Sequence, residues 1–137
     1  MSFSNHLENI ALDCIFGKIW YSPQELWVGL SRTDPLDTGY EVEEPLWFVD
    51  GNNVSWPTGY ARVLTHPADW LYAADGVVAN LSEITFPTAL ANWGTVTHFV
   101  IWDATWMILY GELSPHKTVS TGQRPRFNIV QLEVFLS

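Results

Sequence analysis

Four histidines, fifteen carboxylates and a single cysteine are the side chains of this 137-residue sequence that could support acid–base, nucleophilic or metal chemistry. His6, His66, His98 and His116 stand far apart, and none has a second histidine or a carboxylate at a spacing typical of metal ligands. His98 alternates with Val96, Val100 and Trp102 and reads as a structural residue of their strand face. Asp34, Asp37, Glu41, Glu43 and Glu44 gather in one segment. A calcium site needs several oxygens converging on one point, commonly around a glycine turn, and the EF-hand spacing is absent. These acids therefore read as a solvated loop. A glycosidase needs two carboxylates facing each other across a cleft, and no such pair can be assigned. Cys14 is the sole cysteine, so neither an internal disulfide nor a cysteine-based metal site can form. It falls on the apolar face of a predicted helix and reads as a small buried hydrophobe. No G-x-S-x-G, P-loop, G-x-G-x-x-G or H-E-x-x-H pattern occurs. Asn53-Val54-Ser55 and Asn80-Leu81-Ser82 match the glycosylation triplet by chance, since no secretion signal precedes them. The sequence thus predicts no catalytic, cofactor-binding or metal-binding residue, and a protein that is not an enzyme.

The elements that would carry any site follow from periodicity. Leu7, Ile10, Ala11 and Cys14 keep the i, i+3, i+4, i+7 spacing of a helix over residues 5–16. Asn5 is the expected N-cap, with Glu8 three positions later, and Gly17 suits a left-handed stop. After Gly17 the period becomes two. Strands are expected at 26–30, 46–49, 59–65, 69–73, 77–81, 83–86, 95–102, 107–113 and 127–136. Asp50-Gly51-Asn52-Asn53, Ala74-Asp75-Gly76 and the link 103–106 are turn signals, and 31–45 and 114–126 are loops. In the last strand Val130, Leu132, Val134 and Leu136 alternate with polar residues. The expected fold is mainly β: a short N-terminal α-helix (residues 1–17) ahead of a single antiparallel, jelly-roll-like β-sandwich (residues 18–137). The helix must be covered by its own domain or by a neighbour.

Hydrophobic residues make up 47% of the chain and charged residues 15%, enough apolar material for a real core. The net charge of −9 repels phosphate backbones and anionic membranes, which argues against nucleic acid and membrane partners. Glu8 and Asp13 interrupt the first apolar run, so no signal peptide is expected, and no stretch reaches the ~18 apolar residues of a membrane span. Eight Trp, seven Phe and five Tyr exceed what so small a core can hide. Rings left at the surface mark contacts with partners. The candidate interface residues are Leu7, Ile10 and Phe16 on the helix and Trp27, Trp47, Trp56 and Trp70 beyond it. The four tryptophans could instead stack sugar rings, as in a carbohydrate-binding module.

The order of several short motifs carries a family resemblance. Phe3-Ser4-Asn5, Leu7-Glu8-Asn9, Leu12-Asp13 and Ile15-Phe16-Gly17 open it. Leu26-Trp27-Val28-Gly29-Leu30-Ser31 with Thr33-Asp34-Pro35, Gly59-Tyr60-Ala61-Arg62-Val63 and Phe86-Pro87 follow. Trp93 to Phe99, Ile101 to Ala104, Leu109 to Leu113 and Lys117-Thr118-Val119 complete it. Together they resemble the small tailed-bacteriophage virion proteins commonly labelled tail-fibre or phage structural proteins. The resemblance implies a non-enzymatic structural component at the particle surface, assembled in the host cytoplasm. It would be either a head-decoration (cement) protein or a small tail-fibre or tail-adaptor protein. Its partners would be capsid or tail subunits and further copies of itself; a module binding host surface glycans is the alternative. The sequence departs from the pattern over Glu41 to Pro45 and the Trp-rich segment 47–56, where a partner-specific surface could lie.

Overall fold

The computed structural model describes residues 2–135. Strand β1 (Ser2–Phe3) leads into helix α1 (Asn5–Ile15). Ser4, and not Asn5, is the N-cap: its hydroxyl accepts from the Leu7 N–H at 3.1 Å. Ser4 is held extended there because its own N–H donates to the Ile108 carbonyl at 2.9 Å, a contact invisible to local spacing. Gly17, at φ +71°, closes the helix as expected: Gly17 N–H donates to the Cys14 carbonyl and Lys18 N–H to that of Asp13.

The strands that follow are β2 (Leu26–Ser31), β3 (Trp47–Val49), β4 (Ser55–Pro57), β5 (Val63–Thr65), β6 (Val77–Ala79) and β7 (Ile84–Thr85). Then come β8 (Gly94–Trp102), β9 (Met107–Val119), β10 (Arg126–Phe127) and β11 (Glu133–Phe135). The main sheet runs β1-β9-β8-β2-β5, antiparallel throughout. Two short ribbons, β7-β10 and β6-β11, form a second layer. Val28, Leu30, Phe99 and Ile101 from the sheet share one core cluster with Ile84, Phe86 and Leu132 from the ribbon segments. The fold is therefore mainly β and sandwich-like behind one short helix. Trp93 sits at the centre, wholly buried and edge-on to Tyr60 (5.3 Å, 85°) and Phe86 (6.4 Å, 81°). Its indole N–H donates to the Thr58 carbonyl at 3.0 Å, so the ring is buried without an unpaired donor.

Several expected strands change on folding. Residues 59–65 are extended only from Val63, because Tyr60 turns inward to meet Trp93. Residues 69–73 form no regular strand: with Ala74 they meet 77–81 through the isolated bridges Trp70↔Asn80 and Ala74↔Val77, while β6 also pairs with β11. Strand β9 runs past Leu113 to Val119, with a bulge: the register passes from His98↔Glu112 to Val96↔Lys117, and Leu113–His116 loop out opposite Thr97. On its outer side β1 pairs with Leu109 and Tyr110, and Ser4 N–H adds a bond to the Ile108 carbonyl. The expected final strand is broken. Val130 takes φ +63° and is exposed, while Leu132 is buried. The cause is Asn80, itself wholly buried. Its amide NH₂ donates to the Ser82 and Asn128 carbonyls at 2.9 and 2.8 Å, and its oxygen accepts from Leu132 N–H at 2.9 Å. Leu136, counted in the expected alternation, lies outside the described residues.

Candidate functional site

The polar side chains of the acidic segment and the histidines are found apart, mostly paired within the fold. Among the described residues no cluster of three or more His, Cys, Asp or Glu side chains could hold a metal ion. The acidic segment is consumed by structure. Asp34 accepts from Leu36 N–H, Asp37 from the Tyr110 hydroxyl, and Glu43 pairs with Arg32 at 3.3 Å. Glu44 binds Arg62 through both oxygens at 2.8 and 2.9 Å and accepts from the Tyr60 hydroxyl at 2.8 Å. Burial first, and then the Glu44 charge, push the Tyr60 pKa upward, so the hydroxyl remains a neutral donor. Its oxygen also accepts from Leu30 N–H at 3.0 Å. The bond to Glu44 raises the Arg62 pKa further, so the guanidinium stays charged. Glu112 and His116 meet at 2.8 Å beside the bulge, on an exposed surface, and line one groove together with Ser114.

The structure offers surfaces instead. Beyond the covered first turn, where Leu7 packs on the core, α1 exposes an apolar end: Ile15 is 75% exposed, Phe16 73% and Trp20 91%. Ile10 on the same helix is half-buried. A second projection is the β3-β4 hairpin, where Phe48 and Trp56 face each other across the strands and Trp47 lies against Pro57. Trp47 and Trp56 remain 56% and 52% exposed. The hairpin is fixed at its root by Arg32, which donates to the Trp93 carbonyl at 2.6 Å and the Trp47 carbonyl at 3.0 Å. At its tip Asp50 accepts from the Trp56 indole at 3.0 Å. This bond, followed by those from Val54 and Asn52 N–H, holds the Asp50 carboxyl below the ordinary range.

Trp70 is half-buried against the core, its indole donating to Thr65 Oγ1 at 2.9 Å; it lines an apolar groove of about 280 Å³ with Leu26, Val78 and Ile101. A larger groove of about 450 Å³ runs beside the bulge, floored by Phe86, Phe99 and Leu132 and rimmed by Lys117 and Arg126. Trp27 lies on the sheet, in register with Trp102 on one side and Leu64 on the other. The sequence-predicted rings thus lie in separate places and form no single patch. Sequence reading missed Ile19 and Trp20, although two large apolar residues just past a helix stop were visible in the chain.

Several large aromatic side chains stand exposed on this scaffold. A family model described as "Podophage GP4 fiber I protein gp80" matches residues 2–135. The chain belongs to this family. It is a phage structural protein and a component of the virion. No curated protein matches the chain. No helix among the described residues is long and apolar enough to cross a membrane.

Proposed function

We propose that this gp80-family chain is a non-enzymatic fibre subunit at the particle surface. It joins other virion proteins and further copies of itself through the exposed rings of the α1 end and the β3-β4 hairpin. The observation that carries the reading is the family match over nearly the whole chain, to a family described as a fibre protein. The surfaces support it. Leu12, Ile15, Phe16, Ile19 and Trp20 follow one another with little between them and water, which a subunit contact would relieve. The hairpin carries its half-exposed rings on both faces, which suits insertion between neighbours more than a flat contact. The charge of −9 favours a basic partner surface.

The test is to locate the protein in purified particles by density or labelled antibody. A tail or fibre position is expected. A position over the capsid lattice would make it a head-decoration protein, and absence from particles would defeat the structural reading altogether.

A further inference from the structure

The charges of the chain are sorted toward two ends of one strand. Of its six lysines and arginines, Arg32 and Arg62 are taken up by Glu43 and Glu44. Lys117, Arg124 and Arg126 gather around the mouth of the larger groove and the smaller one adjoining it. Lys117 pairs with no carboxylate among the described residues, and Arg126 reaches Glu83 only at 3.9 Å. Of the groove's own acids, Glu112 is engaged by His116, which leaves Glu133 against these cations. The floor is apolar, with Phe86, Phe99 and Leu132.

At the other end stands an acidic loop that displays a ring. Tyr40 is 82% exposed, and Asp34, Asp37 and Glu41 around it are exposed as well. The loop holds its own shape. Gly39 N–H donates to the Leu36 carbonyl at 3.1 Å, and Tyr40 N–H to the Thr38 hydroxyl at 3.3 Å. Asp37 is tied to the Tyr110 hydroxyl and Gly39 lies against Met107, which anchors the loop on the first part of β9. Met107 pairs with Trp102 and Lys117 with Val96, so the two ends stand six residues apart along β8, about 20 Å. No residue of the loop lines the groove. The two surfaces are complementary in charge and do not meet within one chain.

We propose that the Tyr40 loop of one copy seats in the Lys117–Arg126 groove of the next, a head-to-tail contact between identical chains. The Tyr40 ring covers the apolar floor, and Asp37 and Glu41 face Lys117 and Arg126. The giving and receiving surfaces differ, so each joined copy still has one of them free. The contact therefore propagates from copy to copy and does not end at a two-fold pair. It deepens the reading of a self-joining fibre subunit and rests on it, but it uses neither the α1 end nor the β3-β4 hairpin, which stay available to other neighbours. The loop is ordered before it docks, so little entropy is lost on binding. One ring and a few exposed ion pairs make a weak contact, with a dissociation constant of about 0.1–1 mM.

The experiment is sedimentation velocity of the full chain at rising concentration. The average mass should climb past that of a dimer. The association constant should fall about tenfold between roughly 0.05 and 0.5 M NaCl, because salt screens exposed ion pairs; joining through the apolar α1 end would not weaken this way. Tyr40→Ser and Lys117→Glu, both at exposed positions, should each abolish association with the circular dichroism unchanged, and Arg126→Glu serves as a second groove variant. Mixed in equal amounts, Tyr40→Ser and Lys117→Glu should form a one-to-one pair and stop there, since one supplies an intact groove and the other an intact loop. The proposal is overturned if the parent chain stays monomeric at about 1 mM, if either variant associates as the parent does, or if the mixture fails to pair. Association lost only in Trp20→Ser would also overturn it and leave the α1 contact standing. Copies that join head to tail in solution but are missing from particles would defeat the fibre reading alone.

Discussion

Trp93 and Trp20 are the same residue in opposite situations. Trp93 has no contact with water, three aromatic or polar neighbours in defined geometry and its one polar atom paired. Trp20 stands almost bare just past the helix end. The aromatic surplus therefore divides into two populations. One is the interior around Trp93, Tyr60 and Phe86, where every ring is locked by shape and hydrogen bonding. The other is the rim of α1 and the β3-β4 hairpin, where rings are displayed on well-anchored backbone. Interior packing and the proposed contacts fall to different rings, so substitutions should separate them.

The largest effect expected is from Trp93→Ala. Removing the central ring should cost about 3–5 kcal/mol, read as a fall in the urea midpoint, whereas Trp20→Ala should stay within about 0.5 kcal/mol. Equal losses would erase the distinction between interior and rim. Next is Asn80→Ala, which strands the Leu132 amide and the Ser82 and Asn128 carbonyls. A loss of about 2–4 kcal/mol follows from unpaired buried groups, together with faster hydrogen exchange at Leu132. Gly29→Ala is a smaller, steric test. A Cβ there would approach the Tyr60 hydroxyl to 2.7 Å and Val100 to 3.1 Å. The clash should cost about 1–3 kcal/mol in the same urea titration, with no change in the rim. The smallest effect belongs to the hairpin tip. The Asp50 carboxyl is held below its ordinary pKa, so its contribution is fully present above that ordinary value and is lost as pH falls through the lowered one. Trp56 fluorescence should therefore change only below about pH 4, and the transition should vanish in Asp50→Asn. A change centred near neutrality would refute the assignment.

Local chemistry was legible in the sequence wherever a turn or cap decides structure within a few residues. Gly17 ends the helix, Asp75 and Gly76 take positive φ in the expected turn, and Asp103 accepts from Thr105 and Trp106 N–H in the β8-β9 link. What could not be read was set by distant partners. Alternation from Val130 to Val134 looks like one strand, but Asn80, some fifty residues upstream, bends it into a turn first. Ser4 replaces Asn5 as the cap because Ile108 holds it extended. The candidate surface was legible in residue type but not in place. Leu7 and Trp70 pack against the core cluster, Trp27 joins a row across three strands, and Trp47 and Trp56 remain displayed. Burial depends on what the rest of the chain stacks over a ring, and the ring's immediate neighbours in sequence carry none of that information.

The outer side of β9 shows how the chain keeps its sheet to itself. Where no strand among the described residues covers it, a straight row of backbone donors and acceptors would invite any passing strand to zip on and start an endless ribbon. The loop-out at Leu113–His116 destroys the straight template, Pro115 withholds an amide, and Glu112 and Lys117 are exposed beside it. Crowded chains waiting to be built into a particle are thus kept from fusing sheet to sheet.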